Sequence, residues 1–127
     1  KGVGFIDAVI RNALSGNTID VWGNGSVGRD YIYIDAVCEL LIGLFDKPIE
    51  GFPVVNISTG VGASNNEILE MVRKIHGPIS VNYLESRSVD LERVVLDNTL
   101  VKSLVKFEPL RLEEGTQKYY SIIRDKY

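Results

Sequence analysis

With one cysteine in 127 residues, the chain cannot form an internal disulfide. Cys38 lies in the apolar run Val37-Cys38-Glu39-Leu40-Leu41, which predicts a small hydrophobe in the core rather than a reactive thiol. Histidine is equally scarce. His76 is the only one, so a Ser-His-Asp triad would have to use it, and its place beside Gly77 predicts a contact with a helix C-terminus or with solvent. Metal-ligand clusters are missing: Glu113-Glu114 and Asp90/Glu92 read as a helix N-terminus and a solvated face. No tyrosine is followed four residues later by lysine, so the chain has no such acid/base pair on one helical face. No apolar run reaches the roughly 20 residues that cross a bilayer, and no basic region with an apolar run and cleavage site opens the chain. The expectation is a cytoplasmic protein with no membrane partner. A net charge of −3 argues against general nucleic-acid binding, while a local group of arginines still suits a small anion.

What is present reads as one α/β body, 45% hydrophobic and 24% charged, with no linker or internal repeat. The chain opens at Lys1 rather than Met and goes directly into the helical spacing Phe5/Ile6, Val9/Ile10, Ala13/Leu14, which predicts a fragment of a longer protein. Thr18 to Trp22 is extended. Asp35 stands at a predicted helix N-cap, and Ala36 to Phe45 is apolar almost all round, which predicts a helix buried on most sides. Val54 to Ser58 predicts a strand covered on both faces, as in a parallel sheet. Ser64-Asn65-Asn66-Glu67 is a capping box ahead of Ile68, Leu69, Val72 and Ile75 on one helical face, and Gly77-Pro78 ends that helix. Ile79 to Leu84 is a further strand, Asp97 caps a short helix, and Leu112 to Ile123 is the last helix. Strands joined by helices define the class as α/β with crossover helices.

"STGVGASN" offers a decoy. A strand, Gly60-x-Gly62, a capped helix and a second strand ending at Glu85 imitate a dinucleotide-binding unit, but Asn65 replaces the third glycine, and the helix cap alone explains the turn. Arg29, Arg87 and Arg93 all lie at junctions between loops and elements, where a guanidinium fork suits phosphate oxygens. Each also has an acid close by, Asp30, Asp90 or Glu92, and pairing with it is the alternative. Trp22, the only tryptophan, sits beside the glycine loop, either to stack on a planar base or to fill the core.

"IDVWGNGSVGRDYIYIDAV" resembles the stretch of extended short-chain dehydrogenases acting on nucleotide sugars that runs from a short strand through a Gly-x-Gly loop to Arg-Asp and an aromatic-rich segment. "VVNISTGVGASNNEIL", "ESRSVDLERVVLDNT" and "FEPLRLEEGTQKYY" resemble later signals of the same family, in the same order, over essentially the whole chain. The chain is thus similar to the NAD-dependent epimerase/dehydratase family, nearest to UDP-glucose 4-epimerase-like members. The resemblance implies that residues 1–127 are the nucleotide-sugar binding, C-terminal portion of an extended Rossmann-type enzyme. It implies that Arg29 and Arg87 bind the diphosphate, that the backbone around Asp20, Val21 and Trp22 borders the base, and that Asp90 reaches a ribose hydroxyl or holds Arg87. Ser88-Val89 replaces the family's Pro-Gly turn, and Phe107 stands where tryptophan is frequent. The implied substrate is a UDP-hexose, and the implied reaction is epimerisation through transient oxidation at sugar C4. NAD, the catalytic tyrosine and lysine, and the helices of a homodimer would then belong to an upstream portion, with no cofactor on this chain alone. A dehydratase, decarboxylase or reductase of the same family, or a free-standing nucleotide-binding module, is the alternative.

Overall fold

A computed structural model describes residues 4–45, 47, 50, 51, 53–86 and 91–126. In chain order the elements are α1 (Phe5–Leu14), β1 (Ile19–Trp22), β2 (Gly28–Asp30), α2 (Ile34–Phe45), β3 (Gly62–Ser64), α3 (Asn65–His76), β4 (Val81–Leu84), β5 (Arg93–Val94), α4 (Thr99–Leu104) and α5 (Leu112–Arg124). The fold is α/β. Its strands form two small sheets: β1 pairs with β4 in parallel, while β2 sits between β3, antiparallel, and β5, parallel.

The core follows from the two side-chain periods. Along β1 the alternation turns Ile19 and Val21 inward and Asp20 and Trp22 outward. On α1 the three-and-four spacing turns Val9, Ile10 and Ala13 to the same interior, where they meet Leu69 and Val72 of α3 and Tyr120 and Ile123 of α5. Complete burial of side chains such as Ile10 and Leu69 contributes about 1.5–3 kcal/mol each. The capping box opens α3 as the sequence predicts. Glu67 N–H donates to Ser64 Oγ at 3.2 Å, and Ser64 N–H donates to Glu67 Oε2 at 2.7 Å. The bonds from the Ser64 backbone and side chain hold the Glu67 carboxyl below its usual pKa. Asp97 caps α4 from one residue further out than its N-cap Asn98, accepting Thr99 N–H at 2.8 Å.

Four expectations need correction. Val54 to Ser58 is not a strand: Val54 is 87% exposed, and the segment is held by side chains instead of a ladder. Asn56 Nδ2 donates to Asp97 O at 3.1 Å, Ser58 Oγ to Leu96 O at 3.3 Å and Asn98 Nδ2 to Ser58 O at 3.1 Å. Apolar side chains alone do not make a strand without a neighbouring backbone, and short polar side chains compete with a ladder. The second correction concerns α2, where only Ala36 and Leu40 are buried and Cys38 is exposed. Ile42 and Phe45 stand 68% and 92% exposed because the fold covers one side of this apolar helix only. Third, α2 begins at Ile34, ahead of Asp35: Ala36 N–H and Val37 N–H donate to Tyr33 O, and the Asp35 carboxylate accepts from Lys118 Nζ at 2.6 Å. That bond raises the Lys118 pKa. Fourth, His76 faces neither solvent alone nor only the helix end; its Nδ1 is 2.9 Å from Tyr120 Oη.

The exposed apolar face of α2 leads to a prediction. The 127-residue chain is expected to self-associate as concentration rises, and Ile42→Lys with Phe45→Glu is expected to return it to monomer. Sedimentation velocity measures this, and a wild-type chain that stays monomeric at high concentration counts against it.

Candidate functional site

β1 and β4 end side by side at Trp22 and Leu84, and Gly23 N–H extends the pairing to Leu84 O at 3.0 Å. Beyond them the chain turns through residues 23–27 into β2. Ser26 N–H closes the turn on Asn24 Oδ1 at 3.0 Å. The start of α3 fastens the outer side: Asn66 N–H donates to Gly25 O at 3.1 Å, Asn65 N–H to Val27 O at 3.0 Å, and Asn66 Nδ2 to Asn24 O at 2.9 Å. From β4, Tyr83 Oη donates to Asn66 Oδ1 at 2.9 Å, so one side-chain amide joins the turn to both neighbouring elements. A cleft of about 840 Å³ opens beside this turn, with Trp22, Asn24, Val27, Tyr83, Ser86 and Glu92 on its walls.

Arg29 lies just beyond this turn, in the middle of β2. Its Nη1 donates to Gly28 O at 2.8 Å and to Leu91 O at 2.9 Å, immediately before the cleft residue Glu92. The expected alternative partner, Asp30, is engaged elsewhere. Its carboxylate accepts Thr59 N–H at 3.0 Å, Thr59 Oγ1 at 2.6 Å and Gly60 N–H at 2.9 Å. The two charged neighbours therefore serve opposite sides of β2, as alternation along a strand requires. One nitrogen of Arg29 is spent on carbonyls. Among the described residues its Nε and Nη2 have no hydrogen-bond partner. Burial raises the Tyr31 pKa, and the Arg29 guanidinium opposes that rise.

The remaining candidates separate. Trp22, 41% exposed, is a wall of the cleft. Val21 is 1% exposed and belongs to the core. Asp20 is exposed on the Trp22 side of β1 and accepts Asn82 Nδ2 at 3.0 Å. Arg87 and Asp90 lie outside the described residues. Arg93, exposed in β5, pairs through its backbone with Gly28, and its charge adds slightly to the lowered pKa of Glu67. In the Gly60-x-Gly62 stretch, Gly62 lies in the short antiparallel β3, Gly60 N–H goes to Asp30, and the helix start is occupied by its own capping box. Asn66 and Tyr83 are residues of the candidate site that sequence reasoning missed, and Asp30, read there as a partner of Arg29, instead holds Thr59 and Gly60. The only sequence signal for the first was the Asn65-Asn66 pair, which reads as part of a helix cap.

The model of the NAD dependent epimerase/dehydratase family matches residues 2–58. The chain is 31% identical over 115 residues to a UDP-glucose 4-epimerase of Mycolicibacterium smegmatis, covering 89% of this chain and 36% of that protein. Its fold superposes with a TM-score of 0.88 on the UDP-glucose 4-epimerase of Thermotoga maritima with UDP-glucose, at 27% identity, covering 99% of this chain and 41% of that one. It superposes with a TM-score of 0.91 on MoeE5 in complex with UDP-glucuronic acid and NAD, at 26% identity, covering 100% and 43%. The chain belongs to the NAD-dependent epimerase/dehydratase family. Family members similar to it also include a UDP-glucuronate 4-epimerase, a dTDP-4-dehydro-6-deoxy-D-allose reductase and a GDP-L-colitose synthase, so its relatives are nucleotide-sugar epimerases, reductases and synthases. The chain spans about a third of the length of the curated family members it matches. Among the described residues, no helix is long and apolar enough to cross a membrane.

Proposed function

We propose that this chain is the nucleotide-sugar binding portion of an NAD-dependent sugar epimerase acting on a UDP-hexose. The observation that carries the reading is Arg29: a guanidinium pinned by two backbone carbonyls, with its other nitrogens uncommitted among the described residues, on the strand that follows the turn lining the Trp22 cleft. A cation fixed in this way loses little side-chain entropy when it grips a phosphate, and its fork suits two oxygens at once. In this reading the diphosphate lies on Arg29, and the base lies along the backbone of Asp20, Val21 and Trp22. Arg87 is a second diphosphate ligand, and Asp90 reaches the ribose or steadies Arg87. Likeness to proteins solved with UDP-glucose and UDP-glucuronic acid supports the ligand class.

The Gly60-x-Gly62 stretch does not fit the NAD diphosphate, because Gly60 N–H already serves Asp30, Val61 N–H serves Thr59 Oγ1, and the helix start that follows is occupied by the Ser64-Glu67 box. The reading therefore assigns NAD, the catalytic tyrosine and lysine, and a homodimer contact to parts of the protein outside this chain. The residues here bind and orient. Holding the nucleotide end fixes where the sugar C4 lies, so binding energy far from the reacting atom serves the chemical step.

Calorimetry of the chain with UDP, UDP-glucose and NAD in separate titrations tests the proposal, together with emission from Trp22, the only tryptophan. Saturable UDP binding that changes Trp22 emission is the expected result. NAD binding with UDP inert would overturn it. For the whole protein, inversion of UDP-glucose at C4 is expected; a 4-keto-6-deoxy or reduced product would move the assignment to a dehydratase or reductase of the same family.

A further inference from the structure

The cleft at the carboxyl ends of the parallel strands β1 and β4 has one charged side chain among its described lining residues, and that charge is negative. Ligands of α/β sheets bind at this end of the strands. Trp22 and Tyr83, 41% and 50% exposed, give the cleft aromatic walls, and Asn24, Ser26 and Ser86 add neutral polar groups. No lysine or arginine lines it among the described residues. A diphosphate inside the cleft would meet the Glu92 carboxylate with no cation on these walls to offset the repulsion. A neutral, hydroxyl-bearing group suits it better.

The backbone of Glu92 is fixed, while its carboxylate is uncommitted. Glu92 O accepts Gly28 N–H at 2.8 Å, and the preceding carbonyl, Leu91 O, accepts Arg29 Nη1 at 2.9 Å, so this wall is fastened to β2 at two successive residues. Among the described residues the Glu92 side chain makes no hydrogen bond or ion pair. A carboxylate with both oxygens open accepts two hydroxyl protons at once, in short charge-assisted bonds.

The covalent order of a nucleotide narrows what meets that carboxylate. Ribose stands between base and diphosphate, so a base along Asp20 to Trp22 and a diphosphate on Arg29 set the ribose against the turn that joins them. Glu92 lines the same cleft as that turn.

We propose that Glu92 is a specificity-determining residue that accepts the 2′- and 3′-hydroxyls of a ribonucleotide, and so favours UDP over its 2′-deoxy counterpart. The inference rests on the nucleotide-sugar reading and extends it to the class of nucleoside. Asp90 is then left to steady Arg87.

Calorimetry of the 127-residue chain with UDP and with 2′-deoxy-UDP, which differ by one hydroxyl, tests this in the wild type and in Glu92→Ala. Glu92 is exposed, so the substitution should leave the fold intact. In the wild type the deoxynucleotide is expected to bind about tenfold more weakly, the effect of losing one bond to a charged acceptor. In Glu92→Ala the two nucleotides are expected to bind within about twofold of each other. The ratio decides, because removing an acid near a diphosphate also eases repulsion and shifts both affinities together. Glu92→Gln, which keeps one acceptor oxygen, should give an intermediate ratio. Equal binding of both nucleotides by the wild type, or a ratio that persists in Glu92→Ala, would overturn the role of Glu92 and leave the nucleotide reading standing. A wild type that binds neither would overturn that reading and this inference together.

Discussion

Arg29→Ala is expected to weaken UDP binding by about 10- to 100-fold, the effect of losing a charge-assisted contact of about 1.5–3 kcal/mol. The guanidinium is held at Gly28 O and Leu91 O, so its aim is set before any ligand arrives. Arg29→Lys is expected to recover little. An ammonium group keeps the charge but cannot bridge two carbonyls and still offer a planar pair of donors to phosphate. The same carbonyl bonds join β2 to the segment leading into β5, so the melting temperature should be measured alongside. A variant that binds UDP like the wild type, with its stability unchanged, would remove Arg29 from the site.

The largest expected loss of stability follows from a single added methyl group. In Gly25→Ala, a Cβ would lie 2.1 Å from Asn66 Oδ1 and 2.6 Å from its Cγ, at a φ of +78° that L-residues avoid. The left-handed backbone costs about 1–2 kcal/mol. Displacing Asn66 loosens its bonds to Asn24 and Tyr83 as well, at about 1 kcal/mol each. A total of about 2–4 kcal/mol should lower the melting temperature by about 10 °C for a chain of this length. Gly16→Ala provides the control: φ is +68°, yet nothing lies within 4 Å, so only the backbone cost remains. Equal losses from the two substitutions would show that Asn66 does not crowd Gly25. Making Gly25→Ala in an Asn66→Ala background separates the steric part, because residues in contact do not give additive losses.

Elements whose signals are local were legible in the sequence. The Ser64–Glu67 box marked the start of α3, and the extended segment ending at Trp22 became β1, although the side to which Trp22 turns stayed open until the fold was in view. The errors came where a pattern reports only what a segment is able to bury. Ala36–Phe45 and Val54–Ser58 are apolar enough for an interior, but the fold sets neighbours against one side of the first and no strand beside the second. The site was half legible for a similar reason. Trp22 and Arg29 flank a recognisable loop, whereas Asn66 reaches that loop from 42 residues away and Tyr83 from a different strand, a closeness that only the tertiary fold creates.

The parallel register of β1 with β4 has a kinetic meaning. Asp20 faces Asn82, and Arg29 bonds to Leu91, each across 62 residues. Loops of that length must close before either contact contributes, and topologies rich in such contacts fold slowly. On a ribosome, β1 and β2 would emerge long before the strands that complete them. The helices α1 and α3 can form by local contacts while those strands wait. Maturation of the Trp22 cleft is thus expected to come late in the chain's own assembly.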